Sequence, residues 1–353
     1  MSREALKAHF SEQAGFCEAF GSPFTAQLIS RMGDDLEAGG PIVRLVGAWP
    51  TNPRADALAL RLTGALHYAV LSGRAPALAD VYPAARPDWR MDEVWPAARR
   101  FLEQDHAWTR AFIESPPQTN ETRRAIGLLT AFLTIASEYD GPLELLELGA
   151  SAGLNLNWDS FAYRAGGWAW NEQGAPLIDT DWTGPAPPLP KRIGVRARAA
   201  CDQNPLDVRD PRQRLQLKSY IWPDQPERLA RFDAAADLAA LSDTHVERAD
   251  AADWLAKKLS SRADDAATVV YHSVFFQYPP RETRNAITAL IEAAGAAANP
   301  RAPLYWVRLE PEAVLGGPRE SVLMVIDLVS WPGGERRILA TTDGHVRAIQ
   351  SLM

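Results

Sequence analysis

The sequence predicts a two-domain α/β protein, with a mostly α-helical N-terminal domain over residues 1–140 and a doubly wound parallel sheet over residues 141–353. Three observations predict it. The 353 residues exceed what one ordinary core accommodates. Apolar residues recur at helical spacing in the first part of the chain and gather into short β-type runs in the second. A glycine turn, Gly149-Ala150-Ser151-Ala152-Gly153, joins the first of those runs to a helical segment.

Four helices are expected before residue 140. Arg3 to Phe20 carries Leu6, Phe10 and Phe16 on its apolar stripe, and Asp56 to Ser72 carries Leu58, Leu62, Leu66 and Val70 before Gly73 stops it. Asp92 to Glu114 ends at Pro116-Pro117, and Asn120 to Tyr139 ends at Asp140-Gly141-Pro142. Ile42 to Trp49 has the composition of a strand or a loop.

Seven strands are expected afterwards: Leu143–Leu148, Ile193–Cys201, Thr244–Arg248, Thr268–Phe276, Pro303–Leu309, Ser321–Val329 and Arg336–Thr342. Segments long enough for crossover helices separate the first five, which predicts parallel pairing. The last two are joined through Pro332-Gly333-Gly334 and form an antiparallel hairpin. An insertion at about 165–192 separates the first two strands, with a small hairpin read within residues 166–178.

Composition narrows the function classes. With 46% hydrophobic and 23% charged residues, both domains are expected to be globular. No run approaches the roughly 20 apolar residues of a membrane span, and the first residues lack the apolar core of a signal peptide, so a cytoplasmic protein with no membrane partner is expected. The net charge of −7 argues against nucleic acid and toward a small molecule, or less readily a protein, as partner. Cys17 and Cys201 are isolated, and the six histidines show no zinc-ligand spacing, so no metal is expected.

The glycine turn admits two chemical readings. Strand, tight turn and helix start let a ligand approach backbone N–H groups closely. Glu147-Leu148-Gly149-Ala150-Ser151-Ala152-Gly153 resembles motif I of class I methyltransferases, with Ser151 in place of the middle glycine. That resemblance implies a class I methyltransferase-like Rossmann fold of five parallel strands plus a C-terminal antiparallel hairpin. It also implies S-adenosylmethionine as cofactor, held by Glu147, Gly149, Ala150, Ser151 and Gly153. The same residues spell the Gly-x-Ser-x-Gly elbow of α/β-hydrolases, with Ser151 as nucleophile and Asp343-Gly344-His345 as a source of the histidine. Against the elbow, helices rather than strands precede the turn, and no upstream oxyanion loop is evident.

Later strand ends supply further candidates. Asp202, at the end of the second strand, is placed to hold a ribose, although it follows Gly149 by 53 positions. Asp250 after the third strand is either an adenine contact, by the same resemblance, or, with Asp253, a cap of the next helix. His272 and Ser273 interrupt the apolar fourth strand. His272 is read as a catalytic proton acceptor or as a satisfied core histidine, and Ser273 as a substrate contact. Asn120 and Arg123 are read as substrate contacts from the helical domain, placed over the crevice, or as a simple helix start.

Several segments together resemble the bacterial family called domain of unknown function 2332. They include Pro116-Pro117-Gln118-Thr119-Asn120-Glu121, the glycine turn, Ser219-Tyr220-Ile221-Trp222-Pro223-Asp224-Gln225, Tyr271-His272-Ser273 and Trp306-Val307-Arg308-Leu309-Glu310-Pro311. The resemblance spans nearly the whole chain and implies the methyltransferase-like fold, without a reaction. The expected function is a small-molecule methyltransferase. Its alternatives are a non-catalytic ligand-binding or regulatory protein on the same fold and a serine hydrolase using Ser151.

Overall fold

Each backbone amide needs a partner, and the chain meets that need with helices first and one large sheet later. The computed structural model describes residues 3–190 and 192–353. It divides into two compact units, one of Met1–Thr119 with Arg209–Phe232 and one of Asn120–Val208 with Asp233–Met353. The expected single boundary at 140 gives way to a discontinuous division, because the last of the four expected helices packs on the sheet.

The first unit holds α1 (Arg3–Ala19), α2 (Pro23–Ala38), α3 (Pro41–Val46), α4 (Leu58–Leu71), α5 (Pro76–Ala79), α6 (Met91–Gln104) and α7 (His106–Phe112). Two departures from the sequence reading have local causes. Ile42 to Trp49 begins as a helix because Pro41 occupies the first helical position and the Ile42 N–H donates to Asp35 Oδ2 at 3.0 Å. Burial of Ile42, Leu45 and Val46 on one face overrides their strand propensity. The expected helix over 92–114 breaks at Asp105, whose carboxylate takes both Nε and Nη2 of Arg74, at 3.0 and 2.7 Å. The unforeseen α2 is well delimited, with Ser22 as N-cap and Gly39 in a left-handed C-cap at φ 77°.

After α8 (Arg124–Glu138), which belongs to the second unit, α9 (Pro211–Ser219) returns the chain to the first. The segment that follows α9 is a structural clamp. Asp224 accepts the Ser22 hydroxyl at 2.5 Å and the Phe24 N–H at 3.0 Å, capping α2, while Gln225 Nε2 donates to the carbonyls of Phe20 and Gly21 at the end of α1. The Tyr220 ring lies over Gly64 of α4, where a Cβ would meet it at 2.6 Å. Tyr-Ile-Trp-Pro-Asp-Gln thus closes the first unit's core.

The rest of the second unit comprises α10 (Pro226–Leu241, begun in the first unit), α11 (Ala251–Ser260), α12 (Arg281–Ala296) and the sheet strands. The strands are β1 (Leu143–Leu148), β2 (Ala162–Ala165), β3 (Trp168–Trp170), β4 (Leu177–Thr183), β5 (Val195–Asp202), β6 (Val246–Arg248), β7 (Ala267–Ser273), β8 (Leu304–Pro311), β9 (Met324–Trp331), β10 (Glu335–Thr342) and β11 (Ala348–Ser351). Their order is β3-β2-β4-β11-β10-β9-β8-β7-β1-β5-β6, mostly parallel. All seven expected strands are present, the first five pair in parallel, and β9 and β10 form the expected hairpin. The sheet is wider than predicted. The hairpin read within residues 166–178 does not form: β3 pairs antiparallel with β2, β4 pairs in parallel with β2 and β11, and these strands extend the same sheet at its far edge.

Helix α8 lies on one face, where Gly127 comes so close to Leu309 that a Cβ would meet its Cδ1 at 2.7 Å. On the other face a core of Leu148, Trp254, Val270, Ile287, Ile291 and Trp306 joins α11 and α12 to the strands. No helix among the described residues is long and apolar enough to cross a membrane. Asp224→Ala strands two donors at the α1–α2 turn, an expected cost of about 1–3 kcal/mol. A lowered chemical-denaturation midpoint checks this, and an unchanged one rejects the clamp.

Candidate functional site

Strand order reverses between β1 and β7, since β1 is followed in the chain by β5 on one side and later by β7 on the other. Ligands of open α/β sheets bind outside the carboxyl ends of the strands at such a point. Here two sharp turns face each other across it.

The first turn follows β1. Gly149, Ser151 and Gly153 adopt left-handed backbone conformations, at φ 66°, 55° and 70°. The position expected for a middle glycine is therefore left-handed although serine fills it, a conformation that costs of order 1 kcal/mol or more. Neighbours hold it by its amides. Gly149 and Ala150 both donate to the Cys201 carbonyl, at 2.9 and 3.1 Å, and Ser151 N–H donates to Asp202 Oδ2 at 2.9 Å. Asn120 bridges the turn, with Nδ2 donating to the Ala150 carbonyl at 3.0 Å and Oδ1 accepting the Leu154 N–H at 2.9 Å. The expected helix after the turn is a seven-residue 3-10 segment, Leu154–Ser160, with non-helical geometry at Asn157. So short and irregular a segment lacks the aligned dipoles with which an α-helix N-terminus attracts phosphate.

Glu147 lies at the end of β1, paired in register with Tyr271 of β7, whose hydroxyl donates to Glu147 Oε2 at 3.1 Å. The carboxyl is 3% exposed. Burial pushes its pKa up to about 8; the tyrosine hydrogen bond opposes the rise, and the Asp202 carboxylate adds to it. Glu147 is thus largely uncharged at neutral pH. The partner phenol is pushed well above its ordinary value, first by burial and then by the carboxyl beside it.

The second turn follows β7. Val274 is left-handed at φ 53°, a genuine outlier for a β-branched residue. Its N–H donates to the Leu309 carbonyl at 2.8 Å, and the N–H groups of Phe275 and Phe276 both donate to Glu310 Oε1, at 2.7 and 3.1 Å. The Phe275 ring lies over Gly149, where a Cβ would meet Cδ2 at 2.3 Å. The two turns are therefore in direct contact.

These contacts reassign several expected residues. His272 is wholly buried, with Nδ1 2.6 Å from Glu310 Oε1 and Nε2 accepting the Trp306 indole N–H at 3.1 Å. An indole only donates, so Nε2 accepts and Nδ1 carries the hydrogen. With no lone pair left, the ring fits the reading of a satisfied core histidine and not that of a catalytic proton acceptor. Asn120, expected at the substrate, has its amide committed to the turn. Arg123 starts α8, its N–H donating to Glu121 Oε1 at 3.1 Å. Asp250 caps α11, Oδ1 accepting the N–H groups of Ala252 and Asp253 at 2.9 and 3.3 Å. Ser273 ends β7, half-buried, on the face that carries Tyr271. Asp202 spends one bond per oxygen, on Ser151 and on Asn204 N–H at 2.8 Å, which leaves each oxygen able to accept another. Asp343 accepts the backbone N–H of His345, a turn contact. Sequence reasoning missed Tyr271, Phe275, Trp306 and Glu310 as parts of the site. Tyr271, Trp306 and Glu310 lie in segments that carry the family resemblance, but no local pattern marks them as parts of the site.

The chain belongs to the family described as an uncharacterised protein conserved in bacteria (DUF2332), whose model matches residues 7–350. No curated protein and no solved structure matches it.

The raised pKa of Glu147 has a signed consequence. The folded state holds this proton between about pH 4.5 and 8, where the unfolded chain has lost it. Glu147 therefore favours the native state most at low pH, and that contribution is lost as pH rises through about 8, by roughly 5 kcal/mol over the window. Denaturation midpoints at pH 5, 7 and 9 should fall less with pH in Glu147→Gln than in the native protein. Parallel slopes would mean that Glu147 is ionised throughout.

Proposed function

We propose that the two turns form the binding site of S-adenosylmethionine on a class I methyltransferase-like Rossmann fold, and that the protein methylates a small molecule. The observation that carries this reading is the left-handed run Gly149-Ser151-Gly153 at the carboxyl end of β1, at the reversal of strand order. The five parallel strands at one end of the sheet, in the sequential order third-second-first-fourth-fifth, support the fold. The acidic residues of the rim support the cofactor. Glu147, Asp202 and Asp250 stand at or just after the ends of β1, β5 and β6, and a 3-10 segment replaces a phosphate-binding helix start. That environment suits a cationic nucleoside better than a pyrophosphate.

The residues fit the group. Gly149 and Gly153 lack the Cβ that would keep a ligand off the backbone. Asp202 retains acceptor capacity for ribose hydroxyls, Asp250 keeps Oδ2 for an amino group, and Glu147, two residues before Gly149, is the acid assigned to an ammonium. When bound, the cofactor supplies an electrophilic methyl group. The chain's own work is to hold the acceptor in line and exclude water, which is worth several kcal/mol.

A thermal-unfolding scan with S-adenosylmethionine and S-adenosylhomocysteine tests the reading. At about 100 times its dissociation constant a ligand stabilises the native state by about 2.7 kcal/mol, a shift of roughly 5–10 °C for a unit of about 200 residues. The shift should vanish in Asp202→Ala. No shift at millimolar ligand rejects the proposal. The left-handed Ser151 favours a second reading, a strained serine nucleophile, and covalent labelling of Ser151 by a fluorophosphonate would establish it. A shift without methyl transfer to any acceptor would identify a binding protein.

A further inference from the structure

Glu310 is the penultimate residue of β8 and is wholly buried, yet a single oxygen of its carboxylate takes three donors. Oε1 accepts Nδ1–H of His272 and the N–H groups of Phe275 and Phe276, at 2.6, 2.7 and 3.1 Å. Oε2 is buried with no hydrogen-bond partner among the described residues. The chain continues inward, since Trp306 fixes the imidazole through Nε2 and the ring stacks on Phe276 at 4.3 Å between centroids. It also continues outward, since the Arg284 guanidinium donates to the Phe276 carbonyl at 3.1 Å. All these contacts converge on one product, the left-handed turn at Val274 that lays the Phe275 ring over Gly149.

We propose that Glu310 is a positioning residue that sets the width of the glycine-turn site by holding Phe275 against Gly149, without touching the ligand itself. This rests on the reading of that turn as a ligand site. The physical case is one of backbone bookkeeping. A valine at positive φ is strained, and two consecutive amides past a strand end have no ladder partner. A buried carboxylate oxygen satisfies both amides with charge-assisted bonds, about twice as strong as neutral ones. His272 and Trp306 then fix which oxygen faces the turn. The unpartnered Oε2 makes the arrangement intolerant of an amide. In Glu310→Gln, either an NH2 group is buried unpaired where Oε2 was, or the amide flips and confronts the N–H groups of Phe275 and Phe276.

The test is calorimetric titration of the full chain with S-adenosylhomocysteine, run well below the melting temperature, beside amide hydrogen exchange. The expected result is at least tenfold weaker binding in Glu310→Gln, with faster exchange at Phe275 and Phe276 while β1 and β5 keep their protection. Trp306→Phe, which removes the indole donor and some ring volume but leaves Glu310 its donors, should move the imidazole ¹⁵N resonance of His272 Nε2 and weaken binding less. Native affinity in a folded Glu310→Gln overturns the inference and leaves the proposed function intact. If the native protein binds no nucleoside the proposed function falls. The positioning of Phe275 is then judged by exchange alone, and unchanged protection at Phe275 and Phe276 overturns it.

Discussion

Backbone polar groups at the carboxyl rim of the sheet impose the constraint on which the rest of the second unit depends. Past Leu148 the chain leaves the ladder and reverses through left-handed residues, so its amides lose their strand partners within a region that is largely closed to water. The Cys201 carbonyl, the Asp202 carboxylate and the Asn120 side chain take them over. Each of these bonds contributes about 1 kcal/mol net, but leaving one unmade in a buried place costs about 1–3 kcal/mol. The turn therefore depends on β5 running beside β1 and on Asn120 reaching it. Residues that look like ligand contacts in the sequence are first the builders of the turn.

The same logic operates on the other side of the reversal point with different chemistry. After β7 one carboxylate oxygen replaces the carbonyl and amide partners of the first turn, and an imidazole, itself held by an indole, bonds that carboxylate. Strain on both sides, at Ser151 and Val274, is of order 1–3 kcal/mol each and persists because several bonds determine each turn. Phe275 over Gly149 links the two, so that neither turn can relax alone.

Legibility in the sequence followed the range of the interactions. The central strands were readable because each is an apolar run with β-branched or aromatic residues between turn formers, and β1 came out to the residue. Helix α3 was misread because its strand-like side chains are overruled by Pro41, by Asp35 seven positions from Ile42, and by burial. The edge strands β2, β3 and β4 were obscure because β2 and β3 are only four and three residues long, and the pairing of β4 with β11 joins residues more than 160 positions apart. At the site, the glycine turn announced itself by composition. The roles of Asn120 and His272 did not, since a committed amide or imidazole differs from a free one only in its long-range partners. The Tyr-Ile-Trp-Pro-Asp-Gln segment was distinctive enough to suggest kinship, but only the bonds from Asp224 and Gln225 reveal that it serves the first core.

Electrostatics bear on which ligand the rim can hold. Moving Glu147 from an ordinary carboxyl to a pKa of about 8 corresponds to roughly 5 kcal/mol against its ionised form. A single positive charge about 4 Å away, at an effective dielectric constant near 20, returns about 4 kcal/mol. A cation seated beside Glu147 would therefore nearly cancel the burial term and draw out the proton, turning a neutral wall into a counter-charge. An anion in the same place would meet the Asp202 carboxylate and find no α-helix start to offset the repulsion. On the reading of the glycine turn as a ligand site, the buried carboxyl would therefore favour a positively charged ligand over an anion.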